Sequence, residues 1–188
     1  GLRYSILKQA SDGRAAEVDP DRVFQSGDRI RLSIEANDTA HLYIVQRGSS
    51  GNWSLLFPSP EISGGENLIE RGKHYEIPAG HWFAFDEQPG TEKLFVVLSR
   101  GPQPDLEKMI YALREGETKP SKTLLAENTR SIDDAVVGRI RSQVAARDLI
   151  FEKVGENIGD QKEKAVYVVN KSGGSGSSVI ADVSLNHK

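Results

Sequence analysis

Arg29-Ile30-Arg31-Leu32-Ser33-Ile34-Glu35-Ala36, then Asn37-Asp38-Thr39-Ala40, then His41-Leu42-Tyr43-Ile44-Val45-Gln46-Arg47 is the stretch whose reading decides the fold. In its first eight residues Ile30, Leu32, Ile34 and Ala36 alternate with polar side chains. This period of two belongs to a strand buried on one face. From Leu42 to Val45 the chain is apolar on both faces, as in a strand with covered surfaces on either side. The residues between the two runs tolerate unusual backbone angles, so the whole reads as a β-hairpin entering the interior.

Downstream, Gly48-Ser49-Ser50-Gly51-Asn52 is a break, and Trp53, Leu55 and Phe57 fall on one side of a strand. Pro58 and Pro60 end that strand, because proline lacks the ladder donor. After the Gly64-Gly65 loop come Tyr75 and Ile77, the turn Pro78-Ala79-Gly80, a run from Trp82 to Phe85, and the turn Pro89-Gly90. Leu94 to Leu98, apolar on both faces, reads as a central strand. Upstream, residues 2–8 form a strand, Ser11-Asp12-Gly13 and Asp19-Pro20-Asp21 carry turn chemistry, and Ser26-Gly27-Asp28 is a tight turn after Phe24.

Beyond Ser99 the texture changes. Gly101-Pro102-Gln103-Pro104 is a loop, and Asp105 caps a short helix in which Leu106, Met109, Ile110 and Leu113 recur at helical spacing, until the polar run from Glu115 to Pro120. A longer helix is expected from Ser131, with Ile132, Val136, Ile140 and Val144 on one face and Arg139, Arg141 and Arg147 on its flanks, lying on a sheet. Strand chemistry returns from Leu149 to Val154 and from Ala165 to Val169. The Gly/Ser-rich link from Lys171 to Ser178 then leads to a strand with Val179, Ala181, Val183 and Leu185 on one face. These elements predict a mainly β fold: a two-layer antiparallel β-sandwich, Ig-like or jelly-roll-like, with one or two helices inserted before the last three strands. It is read as one domain over residues 1–188, with a helical insertion at 103–148 and C-terminal strands at 149–188.

With 188 residues, 37% of them hydrophobic and 27% charged, the chain is long enough to bury a sizeable core without covalent staples. The absence of cysteine excludes disulfides, thiolate zinc sites and a cysteine nucleophile. A net charge of −3 gives no electrostatic footprint for nucleic acid, which requires clustered Lys and Arg. No apolar run approaches the roughly 20 residues of a membrane-spanning helix. The sequence opens on Gly1-Leu2 and enters a strand pattern at once, which leads us to expect a cleavage scar and a further segment, a signal peptide or a domain, upstream.

Reactive groups are sparse. The four histidines are His41, His74, His81 and His187, and no two stand two apart on a strand, the spacing that aims a pair of metal ligands at one face. Ile77-Pro78-Ala79-Gly80-His81 is similar to the Pro-x-Gly turn and downstream histidine of cupin barrels. His74 and Glu76 share a strand face, so a metal-dependent small-molecule enzyme built on His74, Glu76 and His81 is one alternative. The His-x-His element that supplies most cupin ligands is missing. Gly72-Lys73 leads into a strand and lacks the Ser or Thr of a phosphate loop, and no Gly-x-Ser-x-Gly elbow occurs. Asp86 and Glu87, adjacent on an extended chain, point to opposite faces. No enzyme activity, metal or cofactor is expected from these residues. Binding would fall to aromatic rings: Trp53, Trp82, Tyr43 and Tyr75 are the candidates, because flat rings on a rigid sheet stack on a sugar or a peptide. The competing reading has the same rings fill the sandwich core.

The phrases Val23-Phe24-Gln25-Ser26-Gly27-Asp28-Arg29-Ile30-Arg31-Leu32, His41-Leu42-Tyr43-Ile44-Val45, Leu55-Leu56-Phe57-Pro58, Tyr75-Glu76-Ile77-Pro78 and the strand from Gly90 to Ser99 resemble the bacterial family called domain of unknown function 4384, over about Glu17 to Arg100. The resemblance implies bacterial origin and an accessory role, since such domains stand beside kinase, caspase-like or envelope-associated segments. It brings no catalytic residues. The expectation is a non-catalytic interaction module, periplasmic, exported or envelope-associated, with a cytoplasmic location as the alternative. Its partner would be a protein or an adjacent domain of the same chain, with a cell-wall glycan (peptidoglycan or polysaccharide) as the other possibility.

Overall fold

The computed structural model describes residues 1–47, 53–58, 66–104, 106–107, 135, 137–139, 142, 149–152, 164–170 and 178–188. Its strands are β1 (Leu2–Gln9), β2 (Ala15–Val18), β3 (Val23–Phe24), β4 (Arg29–Ala36), β5 (Ala40–Arg47), β6 (Trp53–Phe57), β7 (Leu68–Ile69), β8 (His74–Ile77), β9 (Phe83–Ala84), β10 (Gly90–Ser99), β11 (Leu149–Glu152), β12 (Val166–Asn170) and β13 (Ser178–His187). They form two sheets. The first runs β11-β12-β1-β4-β8, with β2 also on β1 and β9 also on β4; the second runs β3-β13-β10-β5-β6, with β7 also on β5. The expected β-sandwich is present, and β13–β3 is a parallel pair in an otherwise antiparallel arrangement.

The stretch quoted first is not a hairpin. β4 pairs with β1, β8 and β9 in the first sheet, while β5 pairs with β10, β6 and β7 in the second. The link at 37–39 is therefore an arch between layers. The alternation is equally compatible with both arrangements. Ile30, Leu32, Ile34 and Ala36 from one side, and Ala40, Leu42 and Ile44 from the other, all enter the core between the sheets. An arch buries these apolar faces against each other, where a hairpin would have set them side by side.

Sheet two is apolar on both faces, as the runs at 42–45 and 94–98 predicted. Leu42, Ile44, Leu94, Val96, Leu98, Val179, Ala181, Val183 and Leu185 face the interlayer core. Tyr43, Val45, Trp53, Leu55, Phe95, Val97 and Ile180 form a second cluster on the opposite face, closed by Leu106 and Val137. Each large side chain so buried contributes about 1.5–3 kcal/mol of transfer free energy.

Trp53, Leu55 and Phe57 do not share a face as alternation predicted. A register shift at Ile44/Val45 makes Leu56 an extra residue in the β5–β6 ladder, so Trp53 and Leu55 stay outside while Leu56 and Phe57 enter the interlayer core. Residues 104, 106 and 107 are helical, as are 135, 137–139 and 142. Val137, absent from the expected apolar face, is the buried one among the described helical residues 135, 137–139 and 142. That face (Ile132, Val136, Ile140, Val144), the start at Ser131, the turn at 48–52, Gly64-Gly65 and the link at 171–177 lie outside the described residues. The turn at Ser26-Gly27-Asp28 is as expected, with Gly27 at φ 79°, where a side chain would be strained.

Candidate functional site

The described outward positions of β1, β4, β8 and β12 carry polar side chains in two adjoining rungs, of which Ser5 and Ser33 are themselves buried. Tyr167, Arg3, Glu35 and His74 stand side by side across β12, β1, β4 and β8, and the neighbouring rung holds Ser5, Ser33 and Glu76. Arg3 Nε donates to the Tyr167 hydroxyl at 3.1 Å, and its guanidinium lies 5.8 Å from that ring. Arg31 is tied three ways: Nη1 to Glu76 Oε2 at 2.8 Å, Nε to the His81 carbonyl, and its guanidinium 4.0 Å over the Trp82 ring. Ser33 Oγ lies 3.1 Å from His74 Nε2, and Ser33 is 1% exposed.

The four aromatic candidates do not converge. Trp53 is 5% exposed in the second cluster, edge-on to Phe95 at 6.3 Å. Tyr43, in the same cluster, is fully buried; its hydroxyl donates to Glu107 Oε1 and accepts from the Gln103 backbone N–H at 3.0 Å. Burial, reinforced by the Glu107 hydrogen bond, pushes that phenol up to about 12. Tyr75 packs against the interlayer core, its hydroxyl accepting from the Glu70 N–H at 2.9 Å. Trp82 is half-buried on the outer surface of the first sheet, with Arg31 on one ring face.

His74, Glu76 and His81 are likewise dispersed. Glu76 is bound by Arg31, His74 meets Ser33, and His81 is exposed with its carbonyl engaged. Among the described residues no three His, Asp or Glu side chains are grouped to hold a metal ion. The sheets stay open as a sandwich rather than closing into the barrel that the cupin alternative requires.

A second constellation escaped the sequence reading. Gln46, Glu92 and His187 occupy the inward positions that continue Leu42-Ile44, Leu94-Val96-Leu98 and Val183-Leu185, so the core of sheet two ends in a polar row across β5, β10 and β13. Gln46 Nε2 donates to Glu92 Oε2 at 3.0 Å, and His187 Nε2 is 3.8 Å from Glu92 Oε1, an ion-pair distance beyond hydrogen-bond reach. The His187 ring stacks on Phe85 at 4.9 Å, and Phe85 on Phe24 at 5.0 Å; buried His187 Nδ1 has no hydrogen-bond partner among the described residues. Beside the row lies a small apolar cavity between Ile30, Leu56, Phe83, Phe85, Leu94 and Leu185. The signal was present, since a polar residue in phase with a buried alternation departs from the pattern.

Residues 23–102 match the model of the family described as Domain of unknown function (DUF4384), within the expected span at its N-terminal end and two residues beyond it at the other. No curated protein and no solved structure matches the chain.

Proposed function

Taking as premise that residues 23–102 are a DUF4384 segment, we propose that this chain is a non-catalytic accessory module of a bacterial exported or envelope-associated protein, presenting the outer face of its first sheet to a protein partner. The carrying observation is that Arg3, Tyr167, Arg31 and Trp82 lie on one sheet surface, each held by a neighbour. Trp, Tyr and Arg are the residues that dominate binding energy at protein interfaces, and side chains already ordered lose less entropy on binding. The non-catalytic reading is supported by the fate of the reactive pairs. Ser33 is buried, and Glu76 is paired with Arg31.

The test is site-specific photocrosslinking in the full-length protein in its native cell. A crosslinker at Glu35 is expected to capture a discrete protein product that a crosslinker at Lys93, on the other sheet, does not, and Arg31→Ala should diminish it. Equal capture at the two positions, or none at Glu35, would overturn the proposal. Retention on peptidoglycan lost in Trp82→Ala would instead favour the glycan alternative, which rests on the Trp82 ring face not taken by Arg31.

A further inference from the structure

Glu92 is a mostly buried carboxylate that the protein leaves short of partners. It stands on β10 in phase with Leu94, Val96 and Leu98, which all enter the interlayer core, and its side chain is 12% exposed. The Gln46 amide donates to Oε2 at 3.0 Å, while the group nearest to Oε1 is His187 Nε2 at 3.8 Å, beyond hydrogen-bond reach. A carboxylate accepts about four hydrogen bonds, and among the described residues this one receives one. Held among apolar side chains with so little compensation, a charge is costly. A leucine would serve the fold at this position at least as well, so stability does not account for the acid.

The missing partner has a place to stand. Glu92 and Gln46 line the apolar cavity at this end of the core, and the inward turn of Leu56 at the β5–β6 bulge supplies another of its walls. The cavity measures about 20 Å³ and is partly open to solvent. That is room for about one or two non-hydrogen atoms, with the rest of a ligand at the mouth. Apolar walls beside an under-paired carboxylate select a ligand of two parts, an aliphatic end for the walls and a cationic donor for Oε1. An anion is repelled, and a bulky tail does not fit. We propose that this end of the interlayer core binds a short alkylammonium group, with its terminal carbon in the cavity and its ammonium on Glu92 Oε1. The low local dielectric strengthens that contact. The same chemistry ends a lysine side chain, so a free amine and a partner's lysine are the two sources. The site lies between the sheets rather than on the outer surface of the first, so this proposal and the preceding one can fail separately.

The experiment titrates the isotope-labelled, unaltered chain with propylammonium, with propanol as its neutral isostere, and with a lysine blocked at its α-amine and carboxyl. The amide resonances of Leu56, Phe85, Glu92 and Leu185 report binding by NMR. Propylammonium is expected to shift them saturably and to bind at least about tenfold more tightly than propanol, a difference that Glu92→Gln should erase. Saturation by propylammonium without the lysine derivative assigns the site to a free amine, and saturation by the lysine derivative assigns it to a partner's side chain. No saturable shift with either cation, propanol binding as tightly as the ammonium, or unchanged ammonium binding by Glu92→Gln would overturn the proposal. Should Glu92→Gln not fold, the ratio of ammonium to propanol affinity on the unaltered protein decides.

Discussion

Arg31 stacks 4.0 Å over the ring of Trp82, fifty-one positions further along the chain, while its Nη1 reaches Glu76. One side chain of β4 thus fastens the turn after β8 to the outer surface of the first sheet. Replacing Arg31 by alanine removes a desolvated cation–π contact and a charge-assisted hydrogen bond together, and is expected to lower stability by about 1–3 kcal/mol in urea denaturation. Arg31→Lys should recover less than half of the loss, since an ammonium cannot lie flat on the indole while serving the carboxylate and the carbonyl.

The two tryptophans should separate cleanly. Trp53→Ala opens a hole in the second cluster and is expected to cost about 3–5 kcal/mol. Trp82→Ala, at a half-exposed site, should cost about 1 kcal/mol. Thermal melts of both variants check the order.

The polar row predicts a non-additive series. Gln46→Leu alone strips Glu92 of its donor and should destabilise by about 1–3 kcal/mol. Gln46→Leu/Glu92→Leu/His187→Leu, which replaces the row with apolar side chains, is expected to be neutral or stabilising in guanidinium denaturation. A triple variant weaker than Gln46→Leu would show that the row supports the fold.

Stability should decline at alkaline pH through two tyrosines. Burial, with Asp21 and Asp182 adding to it, raises Tyr4 to about 12, and burial with Glu107 raises Tyr43 to the same value, from an ordinary 10.0. The folded protein holds these protons more tightly than the unfolded chain. The contribution is whole below pH 10 and is lost as pH rises toward about 12. Ultraviolet absorbance should show Tyr4 and Tyr43 ionising above the ordinary tyrosine value of 10.0.

At the acid end the sign reverses. Burial alone would raise the Asp28 carboxyl, but the Lys8 ammonium at 2.7 Å and the Gln25 N–H at 3.0 Å outweigh it and hold the group below its usual 3.8. Its stabilisation is present above that value and fades as pH falls through the lowered one. Asp28→Asn should flatten the acid limb of stability against pH.

Much of the sandwich was legible because strand alternation reports burial directly. The inward apolar residues of β4 and of β13 were read correctly, and β5 and β10 were read as covered on both faces, while the polar inward residues Gln46, Glu92 and His187 were missed. Pairing was less legible. Ile30-Leu32-Ile34 and Leu42-Ile44 look the same whether the link between them is a hairpin or an arch, since the pattern records which face is buried and not which neighbour is bonded. Phe57 was placed with Trp53 because a single extra residue, Leu56, inverts the phase, and its side chain is as apolar as the rest. The short strands β3 and β7 escaped because two residues carry no period. The aromatic residues proposed for binding were chosen by type, and type does not distinguish Trp53, packed on Phe95, from Trp82, lying under Arg31.

The arch at 37–39 also bears on how the chain reaches this state. By sending β4 and β5 to different layers it leaves β10 to find β13, with partners from Ser99 and Ser178 to Gly90 and His187. Such distant pairings close large loops before any contact rewards them, which slows assembly. During synthesis the β10 edge stays without that neighbour until β13 has emerged, an interval in which a chaperone, or a stray strand, has something to hold.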